Sequence, residues 1–386
     1  MVLVTSPMLG YWTDIYGRKT FLLAGIFLTC PIAFSLMIVE NNPDITPLVY
    51  FFSYTLQGLI FTLPVLLSAL SDSVPIQHRA PAFGILLAVL MATVSSMSVA
   101  SAFLSDRTCC FLSVLFNAVG FVFAVFCVPE TLTEATRLTS RLKADEKAQL
   151  PGSVPRLLQP FVDLKILNRN SLFRYLAILV IFSSMVAEGS QVLMLYYLQD
   201  NFDFKSTDSA EFMVSIGLMN MLAQGLLLKP LNDRIGERRV LIFAMSVGVL
   251  HCFFYGFAKN KMLIFVGGAL VSFTFFSFPT ISAIKANNAD ENEQGIVQGA
   301  IYSCKSFASA IGPFTFRFAA ENLQVDWMPN KGASMWLVAA VLYAISVVFC
   351  YLMPEELANS KVALAKKKNL EEEGLAGMAD KLLNVT

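Results

Sequence analysis

Charge is what this chain has least of. Asp, Glu, Lys and Arg make up 15% of its 386 residues, where a soluble domain carries about 25%. Basic and acidic residues balance at 28 each, so there is no electrostatic footprint for a nucleic-acid partner. Paired cysteines are missing as well. The seven, at positions 30, 109, 110, 127, 252, 304 and 350, lie in or beside apolar runs without zinc-site or disulfide spacing, and read as small core residues. No Ser-His-Asp grouping, metal-ligand cluster or Walker loop occurs, which argues against a hydrolase, an ATP-driven pump, or a need for a metal or cofactor. Residues 1–9 lack the basic start and apolar core of a signal peptide.

Apolar length is what the chain has in excess. Residues 20–39, 46–71, 80–105, 108–128, 212–228, 240–258, 262–284 and 333–354 carry no charge, and 56% of the chain is hydrophobic. A helix needs roughly 20 apolar residues to cross a bilayer. Two further segments, 175–198 and 295–318, have the length but hold Glu188 in the first and Lys305 and Arg317 in the second. Ten full spans follow, and they must be helices because lipid satisfies no backbone polar group. If the loop with Arg18 and Lys19 is cytoplasmic, Lys and Arg divide 21 to 5 between the two sides, Lys285 counting as a loop charge. This positive-inside bias places the 129–174 linker and the C-terminal tail in the cytoplasm.

The two ends of the chain echo each other. Gly10, Asp14, Gly17, Arg18 and Lys19 form a loop whose Asp-x-x-Gly-charged-basic core returns 219 positions later as Asp233, Gly236 and Arg238. Pro64 and Ser68 are echoed by Pro279 and Ser282, and Pro129-Glu130 by Pro354-Glu355. Parallel repeats joined by a long linker are the layout of a two-half secondary transporter.

The loop from Gly10 to Lys19 resembles the signature that the major facilitator superfamily carries between its second and third helices. Asp233 to Arg239 is similar to its degenerate copy between the eighth and ninth. Ser71-Asp72 with Arg79 and Gly84, Pro129-Glu130-Thr131-Leu132 and Glu188-Gly189-Ser190-Gln191 further resemble the hippocampus-abundant-transcript branch, related to tetracycline-proton antiporters. Two departures stand out. Ile15 replaces the usual Arg after the signature Asp, and the fifth helix has no Gly-Pro, which occurs instead as Gly312-Pro313.

The resemblance implies an all-α polytopic membrane protein of two pseudo-symmetric six-helix bundles, the first helix and part of the second lying upstream of Met1. Repeat spacing expects about 45 more residues there. The divisions are then 1–128 for the N-terminal bundle, 129–174 for the linker, 175–354 for the C-terminal bundle and 355–386 for the tail. The resemblance also places residues 50–71, 175–198 and 262–284 on the central cavity.

Within that frame each residue acquires a role. Asp14 beside Arg18 and Lys19 gates the inner end, its carboxylate accepting from a helix start, with Gly17 allowing the turn; Asp233, Gly236 and Arg238 do likewise in the second half. Glu188, well inside a span, faces the interior or is protonated, and at similar depth can pair with Lys305. Gln191 and Gln57 offer cavity or helix-tying amides. Pro64 and Pro279 kink the fourth and tenth helices. The expected function is secondary active transport of a small organic solute by alternating access, with protons as the coupling ion under consideration and the lipid bilayer as surroundings. The alternative is a transporter-fold membrane sensor or trafficking partner that docks through its basic linker and Lys366-Lys367-Lys368 tail.

Overall fold

A computed structural model of the protein describes residues 2–41, 48–101, 103–149, 154–155, 158–323 and 327–359. The C-terminal tail from residue 360, with its lysine triplet and the sequon at Asn384, lies outside the described residues. Those described are helical, without strand. The helices are α1 (Val2–Tyr16), α2 (Arg18–Asn41), α3 (Leu48–Gln57), α4 (Thr62–Ser73), α5 (Arg79–Ser101), α6 (Asp106–Cys127), α7 (Glu134–Gln149), α8 (Gln159–Asp163) and α9 (Ser171–Phe202). They continue with α10 (Ser206–Leu222), α11 (Leu228–Ile235), α12 (Glu237–Gly256), α13 (Lys261–Thr274), α14 (Ser277–Asn287), α15 (Gln294–Asn322), α16 (Ser334–Leu352) and α17 (Glu355–Ala358).

Nine segments among the described residues are long and apolar enough to cross a membrane: Arg18–Val39, Leu48–Ser73, Ile76–Met97, Asp106–Cys127, Ser171–Phe202, Thr207–Ile235, Glu237–Gly256, Lys261–Asn287 and Ser334–Leu352. The tenth span expected from the sequence falls in α15, which lies outside that set. Its hydropathy is diluted by buried Gln294, Gly295, Gln298, Gly299 and Ser303, residues that pack against protein and not lipid.

Helices α2 to α6 pack as one bundle and α9 to α16 as another, with the amphipolar α7 and short α8 of the linker between them. Side-chain caps start several helices: Asn170 accepts from Phe173 N at 2.9 Å, and Asn260 from Leu263 N at 3.0 Å. The sharp corners belong to glycines. Gly17 (φ +109°) parts α1 from α2, and Gly236 (φ +80°) parts α11 from α12, conformations that an L side chain adopts only under strain.

Two spans are broken at matching places. The chain interrupts its helix between α3 and α4, and again between α13 and α14. Pro64 is the third residue of α4 and Pro279 the third of α14. In that first turn the missing proline N–H costs nothing, because the first four donors of a helix have no internal partner.

The halves meet along α1 against α15 and α5 against α10, with α4 touching α15 and α5 touching α14. Small residues make these seams. A Cβ added to Gly10 would collide with the Gly295 carbonyl oxygen, and one on Gly299 with that of Ser6.

Candidate functional site

Asp14 is the centre of the contact between the halves. It is 1% exposed, and its Oδ1 and Oδ2 accept from the backbone N–H groups of Gly295 and Ile296, both at 2.9 Å. These donors belong to the first turn of α15, so a carboxylate of one half caps a helix start of the other, where the dipole favours negative charge. Arg18 holds the carboxylate in place. Its Nη1 pairs with Asp14 Oδ1 at 2.5 Å and donates to Thr13 Oγ1 at 2.9 Å, while its Nε pairs with Asp72 Oδ2 at 3.1 Å. Ile15, where the resemblance would put an arginine, is buried against Tyr11 and Ala144 of the linker helix. The buried charge network is thus built from Arg18, four residues after Asp14.

Glu130 closes the same end from far along the chain. Its carboxylate accepts from Arg18 N at 2.9 Å and Lys19 N at 3.2 Å, capping α2, and from Leu132 N at 3.1 Å. A Cβ on Gly17 would run into Glu130 Oε2, so Gly17 is required by space as well as by φ. Arg79 spans the halves too, donating to Ser71 O at 2.9 Å in α4 and to Ala286 O at 2.8 Å in α14. The linker adds Arg141 Nε to Ile15 O at 3.0 Å and an Arg169–Glu293 ion pair at 2.9 Å.

The second copy of the loop divides the expected roles. Arg238 does what Lys19 does: Lys19 Nζ donates to Val125 O at 2.8 Å near the end of α6, and Arg238 Nε donates to Cys350 O at 3.1 Å near the end of α16. Arg238 also pairs with Glu355 at 3.1 Å. Asp233, however, is exposed where Asp14 is buried, and the counterpart of Arg18 is Glu237. Asp233 thus differs from Asp14 in burial, although the sequence expects both to do the same work. The second half keeps the turn and the basic clamp on a helix end, but has Glu237 where the first half has Arg18.

Glu188 on α9 and Lys305 on α15 meet as an ion pair at 3.2 Å, their side chains 34% and 32% exposed. Close approach of α9 and α15 at Gly189 and Gly312 lets these side chains reach each other; a Cβ on Gly189 would lie 2.9 Å from the Gly312 carbonyl carbon. Lys305 Nζ also sits 5.2 Å from the centroid of the Phe278 ring, a favourable place for a cation. Phe278 packs on Tyr302 and Tyr302 on Phe61 of the first half, each at 5.4 Å between centroids. Gln191, one turn beyond Glu188, is exposed, and Gln57 lies half-buried at the break between α3 and α4. The structure thus brings Glu188 to Lys305 but leaves Gln57 apart from them. Arg317, near the far end of α15, is 70% exposed and pairs with Glu321.

Four residues given no role of their own by the sequence matter here: Asp72, Arg79, Glu130 and Lys285. Asp72 and Glu130 are acids at span ends, and nothing in their spacing announces a partner more than fifty positions away. Lys285, counted as a loop charge, is in fact 0% exposed within α14.

Comparison with known proteins agrees with this architecture. The family model described as Major Facilitator Superfamily matches residues 1–313 and 225–375. The chain is 25% identical over 340 residues to hippocampus abundant transcript 1 protein of Homo sapiens, covering 86% of this chain and 66% of that one. It is also 25% identical over 349 residues to the class G tetracycline resistance protein of Vibrio anguillarum, covering 89% and 83%. The crystal structure of the human organic anion transporter MFSD10 (TETRAN) superposes with a TM-score of 0.73 at 17% identity, over 90% of this chain and 80% of that one. With two helical halves, its apolar spans and a family match over most of its length, this integral multi-pass membrane protein belongs to the Major Facilitator Superfamily.

Proposed function

We propose that the chain carries a small organic solute across the bilayer by alternating access, its halves rocking about the α1–α15 and α5–α10 seams. The observation that carries this reading is the pair of hydrogen bonds from the start of α15 to Asp14. A charge-assisted bond of this kind contributes about 1.5–3 kcal/mol, enough to hold one end shut and little enough to be exchanged for other contacts. A seam of small residues and polar caps is a reversible closure, unlike a continuous apolar core. The likeness to a tetracycline resistance protein supports a small organic solute.

With Lys285 set aside as buried, Lys and Arg still divide 20 to 5, which supports a cytoplasmic closed end. The described conformation is then closed inside. Glu188 is the residue we assign to proton coupling: a carboxylate beside a lysine at mid-span can exchange its partner for a proton as the halves rock.

Asp14→Asn tests the closure. Ser68 is 1% exposed beneath the closed end, and Ser68→Cys should react several-fold faster with a membrane-impermeant thiol reagent applied from the cytoplasmic side when Asp14→Asn is present. An unchanged rate would overturn the gating role. Flux of tetracycline in reconstituted vesicles, driven by a pH gradient, tests transport itself, and its absence together with unchanged labelling would favour the non-transporting sensor.

A further inference from the structure

Lys285 is a fully buried ammonium whose Nζ has no hydrogen-bond partner among the described residues. A lysine near a span end normally reaches outward to water; this one does not. An unpaired buried charge is strongly unfavourable, so such a group is either neutral or served by a partner the chain does not supply.

Its surroundings specify the kind of partner. Phe278, Ser282 and Lys285 share one face of α14 at helical spacing, and Gln298, Tyr302 and Lys305 share one face of α15. The two faces meet. Gln298 Nε2 donates to Ser282 O at 3.4 Å, and Phe278 packs on both Tyr302 and Lys305. Along this seam the buried polar atoms without a partner are Lys285 Nζ, Ser282 Oγ, Tyr302 OH, Gln298 Oε1 and, a turn nearer the closed end, Gln294 Oε1. The hydroxyls and amide oxygens could serve one another, but the ammonium's three donor protons have only neutral acceptors beside them. The charges do not balance either, since Glu188 is taken by Lys305 and Lys285 is left over. The missing group is an acceptor with negative charge.

The cover of the seam is the contact between the halves. Ala283, Ala286 and Tyr302 pack on Leu67, Ala80 and Phe83 of the first half, and parting the halves at this end removes that cover. We propose that the α14–α15 seam binds an anionic group of the carried solute, a carboxylate or a phosphate, with Lys285 as its counter-ion and Ser282 and Tyr302 as donors. This rests on the transport reading and names the solute class.

The test uses the purified full chain in lipid nanodiscs, with benzoate, inorganic phosphate and the neutral benzamide as probes and Kd taken from thermal-shift titration. Benzoate or phosphate should stabilise the protein and benzamide should not; Lys285→Met should weaken the anion's Kd by at least about tenfold, and Lys285→Arg should largely retain it. Benzoate alone marks a carboxylate, phosphate alone a phosphate group. If Lys285→Met does not fold, acetylation of Lys285 in the native chain, followed by mass spectrometry, reads the same contact and should be slowed by the anion but not by benzamide. Equal effects of benzoate and benzamide, no effect of either anion, or a Lys285→Met Kd like the native one would overturn the site. None of these outcomes alters the response of the Ser68→Cys label to Asp14→Asn, so failure of the anion site is separable from failure of the transport reading.

Discussion

At the scale of single residues, the arrangement turns on polar groups that find partners far along the chain. Gly17 is the most constrained of them, held at φ +109° with a carboxylate where a side chain would go. Gly17→Ala should destabilise the protein by roughly 1–3 kcal/mol from backbone conformation alone, with a further loss as Glu130 is pushed off the start of α2. A lowered thermal midpoint in detergent, with Glu130→Ala adding little further, is the expected outcome. Glu188 and Lys305 form the other test at this scale. If Glu188 carries the proton, Glu188→Gln keeps folding and substrate binding, abolishes pH-driven transport and leaves counterflow exchange intact. If it only neutralises Lys305, Glu188→Gln lowers stability, and the double change with Lys305→Met restores both stability and pH-driven transport. A Glu188→Gln variant with a native pH profile would remove the residue from the mechanism.

At the scale of elements, α15 stands apart. It is the longest helix of the second half after α9, yet it carries glycines on two faces, Gly295 and Gly299 toward α1 and Gly312 toward α9. The two contacts have different consequences. Gly312→Leu should disrupt packing inside one half and lower stability in any conformation, because its Cβ would lie 2.8 Å from the Met185 carbonyl oxygen. Gly299→Leu should instead wedge the seam between halves, leaving each half folded. It should raise labelling of Ser68→Cys as Asp14→Asn does, with a smaller loss of thermal stability than Gly312→Leu. A drop in stability equal to that of Gly312→Leu would show that the seam is permanent. The helix breaks before Pro64 and Pro279 are the elements that can bend as the seam opens.

At the scale of the whole molecule, the two halves are alike in plan and unlike at the lock. Both turn at a glycine, and both clamp a helix end with a basic side chain from the following residues. Among the described residues, the buried acid and arginine at the start of α15 come from the first half. The proposed closure at this end rests on that contact, so Asp233→Asn should leave Ser68→Cys labelling unchanged where Asp14→Asn raises it. The molecule's orientation is open to a direct check. Tags or protease sites in the 129–174 linker should be reached from the cytoplasm and not from outside intact cells, as the basic bias requires.

The class of fold was legible from the chain alone, because twenty apolar residues in a row can satisfy their backbone only as a helix in lipid. The repeat of Asp14 and Gly17 as Asp233 and Gly236 revealed two halves, and the rarity of charge inside spans singled out Glu188 and Lys305. Those signals are local: each depends on run length, spacing or a residue out of place. What the tertiary structure decided was pairing. Asp14 and the start of α15 lie 281 positions apart, Glu130 reaches α2 across 112, and Lys285 is turned inward by helix packing although its position reads as a loop. Periodicity says which residues share a face of one helix, but not which helix that face meets. That choice is made by the packing of the two halves, through which acids and bases remote in the chain come within hydrogen-bond distance.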